Sequence, residues 1–79
     1  MLVYEEREVA IDQEAGQTYL ELMRAQSDCL GGRVVVEPQG CYVQLLWQRD
    51  LQMELSTRLP QGWRLVELTD ELRAACGVA

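Results

Sequence analysis

The chain contains no histidine and no lysine. Without histidine it lacks the usual general base at neutral pH and the commonest metal ligand. Without lysine it cannot form a Schiff base or complete a lysine-bearing phosphate loop. The patterns G-x-G-x-x-G, G-x-S-x-G and H-E-x-x-H are all absent. No apolar run approaches the roughly 18–20 residues that span a bilayer. The stretch from Met1 to Glu8 has neither the basic start nor the apolar centre of a secretion signal, so a cytoplasmic chain is expected. Cysteine is scarce. Cys29, Cys41 and Cys76 form no C-x-x-C pair, and an odd number suits a disulfide scaffold poorly. They read as small buried hydrophobes kept reduced.

What is present describes one small domain of 79 residues. A chain this short buries only about 60% of the surface its unfolded form exposes, so its stability margin is thin. With 48% hydrophobic residues it can still build a core. Acidic residues outnumber basic ones 13 to 7, for a net charge of −6. Nucleic-acid affinity comes mostly from neutralising phosphates, so direct binding to DNA or RNA is disfavoured, as is docking to an anionic membrane. A basic protein partner is favoured instead. The basic residues are all arginine: Arg7, Arg24, Arg33, Arg49, Arg58, Arg64 and Arg73. Such usage suggests a GC-rich bacterial or phage genome.

Patterning along the chain predicts an α+β fold in the order β-α-β-β-β-β-α. Residues 2–11 carry β-formers at both ends and charge in the middle, which predicts a marginal or edge strand. Asp12 is a helix cap, and Ala15, Tyr19, Leu22, Met23, Cys29 and Leu30 recur at helical spacing. A helix over 12–30 is therefore expected, stopped by Gly31-Gly32. Period two then takes over. Val34–Val36, a turn at Pro38-Gln39, the strand Cys41–Gln48 and a strand over 51–56 form a meander. Matching apolar faces pairs Val36 with Cys41, Val34 with Val43 and Trp47 with Leu51. A second turn at Pro60-Gln61-Gly62 leads into a strand over 62–67. Thr69 caps a short final helix with Asp70 and Glu71 in its first turn, ending at Gly77.

Candidate chemistry is thin. Cys41 at a turn exit has no histidine partner and falls on the core face, so it is not read as a nucleophile. Nothing in the cysteine spacing argues for a metal site. No catalytic, cofactor-binding or metal-binding residue is therefore assigned, and no enzyme is expected. Two features point to partners. Glu5, Glu6 and Glu8 form an acidic run that reads as a solvated edge or as a surface for a basic site on a partner. Trp47 is expected in the core. Trp63 falls with Tyr42, Leu46 and Leu65 on the other sheet face, where they form an interface or are covered by the final helix.

These readings favour a non-enzymatic protein–protein interaction module, a small acidic regulatory or accessory subunit, with a homodimer as one form. The alternative is an acidic inhibitor, antitoxin-like or phage-encoded, that mimics nucleic acid and blocks a basic site on its target.

Overall fold

The computed structural model describes residues 1–48 and 61–79. Strand β1 spans Leu2–Ala10, helix α1 Gln13–Arg24, β2 Cys29–Glu37, β3 Gly40–Trp47, β4 Trp63–Glu67 and helix α2 Asp70–Ala75. The fold is α+β, and its strands and helices follow the expected order. The strand predicted over 51–56, with its pairing of Trp47 and Leu51, lies outside the described residues. Among the described residues, four strands form one antiparallel sheet in the order β2-β3-β1-β4. Strands β1 and β2 both run against β3, so they are parallel to each other with β3 between them. Helix α1 makes the crossover.

The interior place of β1 corrects the edge expected for it. Charge in a strand protects an edge only if it stays in water, and here two of the charged side chains are buried. Val3, Glu5 and Arg7 alternate with Tyr4, Glu6 and Glu8 along the strand, as period two requires. Val3 joins Leu46, Leu68 and Cys76 in a cluster on one face. Tyr4 joins Leu20, Val43, Leu45 and Trp47 on the other.

Helix α1 begins as expected. The Asp12 carboxylate accepts a hydrogen bond from Ala15 N at 2.8 Å, and Asp12 itself is extended. It ends earlier than expected, at Arg24. Its buried positions are Gly16 and Leu20, with Tyr19 and Met23 partly covered, whereas Leu22 is exposed. A Cβ on Gly16 would lie 3.2 Å from Val34 Cγ1, so the helix sits close on the sheet.

Cys29, Leu30, Gly31 and Gly32 belong to β2, not to the helix. The apolar pair Cys29-Leu30 continues a helical spacing by coincidence, and the glycines serve close approach instead of a helix stop. Gly32 N donates to Cys76 O at 3.0 Å, and a Cβ there would stand 2.5 Å from Gln44 O. A Cβ on Gly31 would meet the Cys76 carbonyl oxygen. The chain after α2 is thereby seated on the start of β2.

The β2–β3 hairpin has the expected register, with Val36 opposite Cys41 and Val34 opposite Val43, and Pro38-Gln39 forms its tip. Thr69 caps α2 through a hydrogen bond accepted from Leu72 N at 3.1 Å. Leu68, Leu72 and Cys76 bring this helix against the face opposite α1. The sheet therefore lies between two helices, α1 covering one face and α2 part of the other.

Candidate functional site

The acidic run is split by the sheet. Glu5 is 2% exposed and Glu6 7% exposed, on opposite faces, while Glu8 lies in solvent. This corrects the solvated edge expected for the three. Glu6 accepts hydrogen bonds from Tyr19 Oη at 2.9 Å and Trp47 Nε1 at 3.1 Å. Burial, then the hydrogen bond to this carboxylate and its charge, push the Tyr19 phenol up to about 12. Glu6 thus ties α1 to β1 and β3 within the first core, as a structural anchor.

Glu5 is the centre of a polar network on the α2 face. Its Oε1 accepts from Arg64 Nε at 2.7 Å and Arg7 Nε at 3.0 Å, and its Oε2 accepts from Gln44 Nε2 at 2.6 Å. Gln44 Oε1 in turn accepts from Arg33 Nε at 2.7 Å. The strands dictate this grouping. Arg33 faces Gln44 across β2 and β3, Gln44 faces Arg7 across β3 and β1, and Glu5 faces Arg64 across β1 and β4. Arg7 also lies over the Tyr42 ring, 5.0 Å from its centroid.

Burial pushes the Glu5 carboxyl up, but the hydrogen bonds from Arg64, Gln44 and Arg7 outweigh it and hold it below its ordinary 4.5. The same pairing holds Arg64 charged. Among the described residues, the charges of this network do not balance. Arg7 and Arg64 share one carboxylate, and the Nε of Arg33 meets a neutral amide. An open groove of about 430 Å³ runs past these residues beside α2, with Glu71 on its wall.

Tyr42, Leu46, Trp63 and Leu65 do not form the single patch expected for them. Strand β4 pairs with β1, which puts Trp63 opposite Glu6 and Leu65 opposite Tyr4, on the α1 face. Trp63 stacks on Trp47 with ring centroids 5.9 Å apart and planes at 19°. Leu46 is fully buried on the other face, against Val3, Leu68 and Cys76. Tyr42 is half-buried on the α2 face, away from Trp63 and Leu65, which are half-buried on the α1 face. It sits in a cross-strand row, Val9–Tyr42–Val35, on the α2 face beyond the helix. Val9 is 83% exposed and nearby Ile11 95% exposed. The open half of this face thus shows an arginine-rich row, Arg33–Gln44–Arg7, beside an apolar one.

Arg7, Arg33, Gln44 and Arg64 were not singled out from the sequence, although a signal for two of them existed. The register that pairs Val34 with Val43 also places Arg33 opposite Gln44. Glu5 and Arg7, two residues apart in a strand, necessarily share a face. The position of Arg64 depended on β4 joining β1, which no local pattern announces.

The cysteines occupy separate places. Cys41 Sγ lies 3.6 Å from Ala10 O, Cys76 Sγ lies 3.8 Å from Gln44 Oε1, and Cys29 Sγ lies 3.7 Å from Gly31 O. Burial pushes the thiols of Cys29 and Cys76 up, away from the reactive thiolate form. Among the described residues, no group of three or more acidic or cysteine side chains is placed to hold a metal ion. No helix among them is long and apolar enough to cross a membrane. Comparison with protein-family models, curated proteins and solved structures finds no match to this chain.

Proposed function

We propose that the chain is a non-enzymatic protein–protein interaction module, a small acidic regulatory or accessory subunit working in the cytoplasm. The observation that carries this reading is the open half of the α2 face. Val9 and Ile11 are large aliphatic residues left in water beside the half-buried Tyr42 and Val35. Exposed apolar side chains gathered beside a polar rim are the usual composition of a protein contact surface. The partner surface that fits this face is an apolar segment flanked by an acidic side chain, which would meet the Arg33–Gln44–Arg7 row. The all-arginine usage supports a bacterial or phage source.

The test is co-purification from the source organism with three tagged forms: wild type, a Val9→Asp, Tyr42→Ala double variant, and Leu22→Gln as an exposed control on α1. A protein retained by wild type and Leu22→Gln should be lost from the double variant, whose circular dichroism stays native. Truncating one central aromatic at an interface costs about 2 kcal/mol or more, enough to deplete the complex. Equal retention by all three forms, or none by any, overturns the reading.

A second reading, an inhibitor that blocks a basic site on its target by mimicking nucleic acid, is favoured by a different surface. Glu8, Asp12, Glu14 and Glu21 are all exposed at the start and outer side of α1. Such a surface attracts arginine- and lysine-rich sites.

A further inference from the structure

We propose that the groove bounded by Arg7, Arg33, Arg64 and Gln44 is a binding site for a phosphoryl group. This goes beyond the interaction reading and does not depend on it.

Three guanidinium groups line the groove with the carboxylates of Glu5 and Glu71, which leaves one positive charge over in a chain whose net charge is −6. Glu5 is fully engaged, with Oε1 taking two arginines and Oε2 the Gln44 amide. Among the described residues, the two arginines at Glu5 share a single carboxylate, and the Arg33 Nε hydrogen bond goes to an amide oxygen. Glu71 is exposed, so water screens most of its compensation.

Each of the three arginines makes its hydrogen bond through Nε. Among the described residues, none of them uses its terminal amino groups. A guanidinium held by Nε is oriented, and its two terminal nitrogens still present donors in a plane suited to two oxygens of one phosphoryl group. The buried Glu5–Gln44 pair fixes that orientation from beneath, so little side-chain freedom is left to lose on binding. A positive excess presented through oriented donors suits a phosphoryl group, whose several oxygens can take donors from more than one guanidinium.

The test uses nitrogen–proton correlation spectra of the full chain near neutral pH, titrated in parallel with inorganic phosphate, phosphoserine and chloride at matched ionic strength. Saturable shifts are expected at the Gln44 side-chain amide and at the Nε–H groups of Arg7, Arg33 and Arg64. Chloride should not reproduce them. Arg33→Gln should weaken phosphate binding about tenfold or more, since a charge-assisted hydrogen bond is lost, with a native spectrum elsewhere. Arg24→Gln, on α1, should leave binding unchanged. Tighter binding of phosphoserine points to an esterified phosphate as the natural group, and tighter binding of inorganic phosphate to the free ion. Shifts matched by chloride, shifts unaffected by Arg33→Gln, or no saturation across the millimolar range would each overturn the proposal. None of these results depends on whether a protein partner is retained by Val9 and Tyr42.

Discussion

Glu5 and Glu6 are chemically alike and adjacent, yet one side of the sheet makes an arginine network of the first and the other side makes a core anchor of the second. Burying a carboxylate is costly unless each oxygen is hydrogen-bonded. Glu5 meets that condition with three donors and Glu6 with two. The consequence for Glu5 is a pH dependence with a definite sign. Its folded-state pKa is held below the ordinary 4.5, so its contribution to stability is present above that value and lost as pH falls through the lower folded value. Glu5→Gln should therefore be less stable than wild type at neutral pH, by about 1–3 kcal/mol. The gap should narrow as the pH is taken well below 4.5. Urea midpoints for the two proteins across that range are the check, and a constant offset would mean that the ion pairs do not set the difference.

Among the elements, the start of β2 shows how a local signal can be overruled. Gly31-Gly32 has the composition of a helix stop, but both residues sit where neighbouring backbone leaves no room for a Cβ. Gln44 O and Leu45 Cδ2 would lie 2.5 and 2.8 Å from a Cβ on Gly32, and one of these obstacles is backbone that cannot swing aside. Gly32→Ala should destabilise the fold by about 1–3 kcal/mol, the usual effect of overpacking a filled site. Thermal unfolding measures it directly. If the glycine served only to end a helix, alanine would leave the midpoint unchanged or raise it. The same crowding explains why the hydrogen bond from Gly32 N to Cys76 O can form: with no side chains at the two glycines, the chain end after α2 settles onto β2.

For the whole molecule, charge is distributed by face. The net charge of −6 is carried largely by exposed acids on and around α1 and α2, while the open half of the α2 face gathers Arg7, Arg33 and Arg64. Two surfaces of opposite character allow two modes of association with different salt responses. Binding through the Val9–Tyr42–Val35 row should depend weakly on salt, because apolar burial dominates it. Binding through the acids of α1 should fall steeply between low and high salt, because exposed charges are screened over about 8–10 Å at physiological ionic strength. Measuring partner affinity across a salt series, with DNA or RNA as competitor, separates them. Flat affinity and no competition would sink the inhibitor reading. Total stability for a domain this size is about 4–12 kcal/mol, so changes at Glu5 or Gly32 consume a large share of it.

The sequence by itself determined what is local and periodic. The absence of histidine and lysine, the Asp12 and Thr69 caps, the Pro38-Gln39 turn and the Val36–Cys41 register all follow from residue type and spacing over a few positions. Each rests on interactions within one turn or one hairpin, whose strength a short window contains. Only the tertiary structure decided the place of β1 in the sheet, the end of α1, the burial of Glu5 and Glu6, and the separation of Leu46 from Trp63. Those outcomes depend on which distant strand completes a neighbour's hydrogen bonds. The pairing of β4 with β1, about sixty residues apart, brings Arg64 to Glu5 and Trp63 to Trp47. A charged stretch reads as solvated until its partners arrive from elsewhere in the chain, and here they arrive from β3, β4 and α1.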